Sequence, residues 1–117
     1  MAKFFISQPM NGRTQAEIIA ERERIKQFIE MQYAFKAPLE FIDSFNSDAL
    51  GDGDPVVELG HCITLMHDAD YVVFAPGWRE SRGCKVEHTV AEVYPFRRIY
   101  VEDDKIWYEF SRGGHNV

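Results

Sequence analysis

The stretch YVVFAPGWRESRGCKVEH, residues 71–88, decides the fold. Its first six residues form a continuous apolar run of the kind that a parallel sheet buries on both faces. Gly77 then opens a turn, and Ser81 can cap a helix whose core side would be Val86, Val90 and Val93, stopped by Pro95. The segment therefore reads as strand, loop, helix.

The same order recurs on either side. KFFIS at residues 3–7 reads as a strand, and the turn-forming QPMNGRT after it as a loop. Thr14 and Glu17 make a capping box for a helix that runs to about residue 32, with Ile18, Ile25 and Phe28/Ile29 on one face. A weaker strand lies within YAFKAPLEFID, where Pro38 suits an edge position or a strand that starts after it. The Gly- and Asp-rich residues 43–54 read as a long polar loop. Asp54-Pro55 then opens a helix with Val56, Leu59, Ile63 and Met66 as its buried stripe. RRIYVE and KIWYEF follow as two short strands joined at Asp103-Asp104. Strands that alternate with helices imply right-handed crossovers, so we expect one α/β domain over residues 1–117. Its form would be a small three-layer, flavodoxin-like or Rossmann-like sandwich with a mostly parallel sheet.

Composition narrows the function. A chain of 117 residues with 45% hydrophobic and 27% charged residues can bury a real core. The net charge of -6 offers no basic footprint for polymeric nucleic acid or an anionic membrane, although a helix N-terminus with one arginine suffices for a small anion. No apolar run is long enough to cross a bilayer. Cys62 and Cys84 are too few for a disulfide framework, and the expected setting is the cytoplasm. No P-loop, dinucleotide fingerprint or Ser-His-Asp signature is found, and no cofactor is expected. Cys84 and His88, with His61 and Cys62, match no usual zinc spacing, so no metal is expected.

Ligands of open α/β sheets bind beyond the carboxyl ends of the strands. Two loops fit that address, SQPMNGRT and PGWRESRGC. In the second, Gly77 and Gly83 let backbone approach a ligand, Ser81 offers a hydroxyl, and the free N–H groups near Arg82 and Gly83 make an anion seat. An ordinary capped turn has the same features. Trp78 either stacks on a planar ring or covers the core. Glu87, six residues after Ser81, is either a solvated surface carboxylate or one aimed over the strand ends, where it could attack an anomeric carbon.

FISQPMNGRT and DADYVVFAPGWRESRGCKVEHTVAE, residues 68–92, resemble the nucleoside 2-deoxyribosyltransferase-like superfamily, in particular its DUF4406 branch, and about residues 3–101 can be laid along it. The resemblance implies cleavage of a base from a sugar through the glutamate at Glu87. It also implies action on monophosphates, because Ser81 stands where relatives acting on free nucleosides carry an aspartate for the 5′-hydroxyl. Ser81, Arg82 and the backbone near Gly83 would hold the phosphate, Ser7, Gln8 and Asn11 would line the pocket, and Trp78 would sit near sugar or base. The chain departs from the pattern at Cys62, where many members carry an aspartate that serves the base. His61 and Glu58 are the neighbours that could substitute. Phe4 or Phe5 replaces a first-strand tyrosine.

Two functions follow as expectations. One is N-glycosidic cleavage, or deoxyribosyl transfer, on (deoxy)nucleoside 5′-monophosphates. The other is a nucleotide-binding or sensing protein with the same pocket and no turnover. A third, a subunit that packs Trp107, Tyr108 and Phe110 against a partner, competes with plain core packing. Homo-oligomers are implied by the resemblance.

Overall fold

The structure is a computed structural model and describes residues 1–43, 54–94, 96–102 and 105–110. Strand β1 is Ala2–Ser7, helix α1 Gln15–Gln32, strand β2 Leu39–Ile42, helix α2 Pro55–Met66, strand β3 Tyr71–Phe74, helix α3 Arg82–Val93, strand β4 Arg97–Glu102 and strand β5 Lys105–Phe110. Short 3-10 turns occupy Ala34–Lys36 and Trp78–Glu80. The sheet order is β2-β1-β3-β4-β5, parallel from β2 to β4, with β5 antiparallel at the edge. This is the expected three-layer α/β sandwich with a mostly parallel sheet.

Local chemistry accounts for the boundaries. The Thr14 hydroxyl accepts from the Glu17 amide at 3.1 Å, and the Glu17 carboxylate accepts from the Thr14 amide at 2.8 Å, closing the capping box. The Asp54 carboxylate accepts from the Val56 amide at 2.9 Å ahead of Pro55, which needs no donor there. Strand β2 starts directly after Pro38 and lies at the sheet edge, where proline is tolerated.

Side chains alternate across the sheet into two cores. Phe4, Ile6, Tyr71, Val73, Ile99 and Val101 pack with Ile25 and Ile29 of α1. Phe5, Val72, Phe74 and Tyr100 pack with Met66 of α2 and Ala91 of α3. All four residues of β3 are buried, as a strand covered on both faces must be.

Two expected stripes are corrected. Val56 is 77% exposed, although Leu59 and Ile63 are half-buried and Met66 buried. A helix of 12 residues is about 18 Å long and a strand of four about 13 Å, so the first turn of α2 overhangs the strand end. On α3, Val86 is 42% and Val93 64% exposed, and only Val90 packs inward. The buried face is instead Cys84, Glu87 and Ala91, about one residue's rotation away, because small Ala91 lets the helix lie close to the sheet. Residues 44–53, Pro95, Asp103-Asp104 and the side chains of Trp107, Tyr108 and Phe110 lie outside the described ones.

Candidate active site

The order of strand addition reverses between the parallel neighbours β1 and β3: β2 lies on one side of that pair and β4 on the other, which makes their carboxyl ends the topological switch point. Ser7 ends β1, and its carbonyl accepts from the Ala75 amide at 2.9 Å, so the pairing continues one step past β3. Gly77 turns the chain at φ 84°, close to Pro9 of the first loop. The Ser81 hydroxyl accepts from the Cys84 amide at 3.3 Å and sets the first turn of α3. The two loops singled out by sequence therefore meet above one strand end.

Glu87 points into that junction and is only 7% exposed. The Ser7 hydroxyl donates to its Oε1 at 2.5 Å across 80 residues of chain. Loss of solvent pushes the Glu87 carboxyl up to about 7, against the opposite pull of the Ser7 hydrogen bond and of the Arg22 guanidinium. Burial is the larger effect. The surface-carboxylate reading of Glu87 is excluded by this placement.

Arg22 comes from α1, in the opposite layer, yet its charge reaches Glu87 and Cys62 at the strand ends. It is buried, and its Nη1 donates to Gln8 Oε1 at 3.1 Å. The Gln8 amide nitrogen donates to the Ile18 carbonyl and to Glu21 Oε1, each at 2.9 Å, and Arg13 Nη1 donates to the same Glu21 oxygen at 2.8 Å. Gln8 is thus a strut that holds Arg22, with both ends of its amide engaged. Cys84 lies within hydrogen-bonding reach of Ser7 and Ser81, and burial raises its thiol. Cys62 faces the same junction from α2, where burial and the Glu87 charge push its thiol to about 11. Glu58, one turn earlier, has a buried Oε1 with no hydrogen-bond partner among the described residues.

Other expected residues fall elsewhere. His61 is exposed, turned away from the direction of Cys62 by the roughly 100 degrees that one helical residue makes. Asn11 is exposed on the first loop and Arg82 is exposed at the first position of α3, and Gly83 is half-buried with only Leu59 near the place of a Cβ. Trp78 covers the core: its ring stacks on His88 at 4.1 Å and carries the Arg79 guanidinium at 4.8 Å. His88 is held at 2.6 Å from the Tyr100 hydroxyl, and burial lowers its pKa, so the ring belongs to this aromatic cluster. Among the described residues no three potential metal ligands come together.

Sequence reasoning passed over Arg22. A signal was there: Arg22 follows Ile18 by four and precedes Ile25 by three, so a charge occupies the apolar stripe of α1.

No curated protein and no solved structure matches the chain. The family model for the domain of unknown function DUF4406 matches residues 2–100, from the start of β1 into β4, and so takes in Ser7, Arg22, Glu58, Cys62, Ser81 and Glu87; the chain belongs to the DUF4406 family.

Proposed function

We propose that the protein cleaves the N-glycosidic bond of a (deoxy)nucleoside 5′-monophosphate, or transfers its sugar to a second base, with Glu87 as nucleophile. The observation that carries this reading is the buried Glu87 carboxyl at the switch point, held by Ser7 through one oxygen and facing Arg22. The resemblance to the nucleoside 2-deoxyribosyltransferase-like superfamily supports it at the same residue. Ser7 engages Oε1, which leaves Oε2 to form a bond to C1′ as the bond from C1′ to the base nitrogen breaks. Arg22 favours the ionised carboxylate that this attack needs. Glu58, with its buried unpartnered oxygen, supplies a proton to the departing base in place of exposed His61. Water, or a second base, then releases the sugar from Glu87. Ser81, the backbone at Gly83 and the start of α3 seat the phosphate, with exposed Arg82 beside them.

The test is chromatography of products after incubation with ribo- and deoxyribonucleoside 5′-monophosphates and with free nucleosides. Free base should appear from monophosphates with the wild type, and fall by at least about a hundredfold with Glu87→Ala. Full activity in Glu87→Ala would sink the assignment.

A second reading, nucleotide binding without turnover, is favoured by one observation. Cys62 stands where many superfamily members carry an aspartate, and its thiol, raised to about 11, is neutral at physiological pH and offers no carboxylate to a base. Under that reading a monophosphate raises the melting temperature of wild type and Glu87→Ala alike, and no base is released.

A further inference from the structure

A cleft of about 610 Å³ opens at the amino ends of β1, β3 and β4, on the edge of the sheet opposite Glu87. Its size suits a small organic molecule. Two cations converge there on one ring: Lys36 Nζ lies 5.7 Å and Arg97 Cζ 5.5 Å from the Tyr71 ring centre. Arg97 Nη1 also donates to the Tyr71 hydroxyl at 3.1 Å. Among the described residues neither Lys36 nor Arg97 has a carboxylate partner. The one carboxylate in the lining, Asp70, is engaged by the Lys3 amide at 2.8 Å. In a chain of net charge -6, two cations left to an aromatic ring beside a cleft form a local positive site.

The apolar part of the lining points the same way. Phe35 is 77% exposed, with Lys36 Nζ 5.9 Å from its ring, and half-buried Phe96 also lines the cleft. A flat apolar body can lie against Phe35 while its charge meets Lys36 and the guanidinium of Arg97, which can hold a carboxylate or phosphate through two N–H groups. We propose that this cleft is a binding site for a small organic anion with a flat apolar body, separate from the Glu87 site and independent of its chemistry.

The experiment uses the full chain and the fluorescent probe 1-anilinonaphthalene-8-sulfonate. The expected result is saturable binding, displaced by benzoate or phenyl phosphate and not by neutral benzyl alcohol. Whichever of the two anions competes better identifies carboxylate or phosphate as the favoured head group. Lys36→Met with Arg97→Met, which keeps apolar stems and removes both charges, should weaken the probe by about tenfold, and Glu87→Gln should leave it unchanged. Absence of saturable binding, equal displacement by benzyl alcohol, or an affinity unmoved by removal of the charges would each overturn the proposal. Competition by the anions needs no variant, so it decides the matter even where the double substitution fails to fold.

Discussion

At Glu87 the loss of solvent raises the carboxyl from 4.5 to about 7, while the Ser7 hydroxyl and the Arg22 guanidinium act the other way. A raised pKa means that the folded protein binds this proton more tightly than the unfolded chain does. The stability it contributes is fully present below pH 4.5 and is lost as pH rises through about 7. Glutamine mimics the protonated carboxyl in shape and carries no charge. Glu87→Gln should therefore gain on the wild type between pH 5 and pH 8, by up to about 3 kcal/mol, in urea unfolding at the two pH values. A stability difference that stays flat across that range would mean that Glu87 is solvated in the folded protein. Under the proposed function the same residue ties stability to activity, since the charge that destabilises the fold is the one that a nucleophile needs.

The elements around Glu87 are short and set by single residues. Gly77 has φ 84°, and a Cβ there would meet only Pro9 Cγ at 3.7 Å, an ordinary contact. The cost of Gly77→Ala is then conformational, about 1 kcal/mol, and falls on the loop that delivers Ser81 and α3 to the strand end. Thermal unfolding should show that modest loss, and a neutral substitution would mean that the loop relaxes to negative φ. Strand and helix order was legible in the sequence because YVVFAP, the Thr14 to Glu17 box and Asp54-Pro55 each carry a local physical signal. The orientation of α3 was not. Its most apolar side, Val86 and Val93, faces outward, and its buried side includes a carboxylate, because a site needs a functional group where packing alone would place an aliphatic one. Arg22 was hidden for the same reason, and the internal use of Gln8 and Trp78 depends on partners far away in sequence.

For the whole molecule, both helical layers leave apolar side chains uncovered: Ile19 and Met31 on α1, and a larger set on the other side of the sheet. On the α2 and α3 layer Val56, Val57, Val86 and Val93 are exposed, and Tyr94 follows at the end of α3 with 67% exposure. Burying a valine side chain contributes about 1.5 kcal/mol, and a stable interface needs roughly 1,000 Å² in total, so these residues can anchor a contact but need their polar neighbours to complete it. Net charge -6 on each copy opposes association and is screened by salt. Self-association through this layer should therefore strengthen between low and moderate salt, the reverse of a contact held by surface ion pairs. Light scattering should give the mass of a homo-oligomer at moderate salt, and Val86→Asp with Val93→Asp should return it to the monomer with its helix content intact. A monomer at every salt concentration would contradict this. Because α3 carries Val86 outward and Glu87 inward in successive residues, a copy docked on that helix would adjoin the wall of the site, and under the proposed function the same double substitution should alter the KM for a monophosphate as well as the mass.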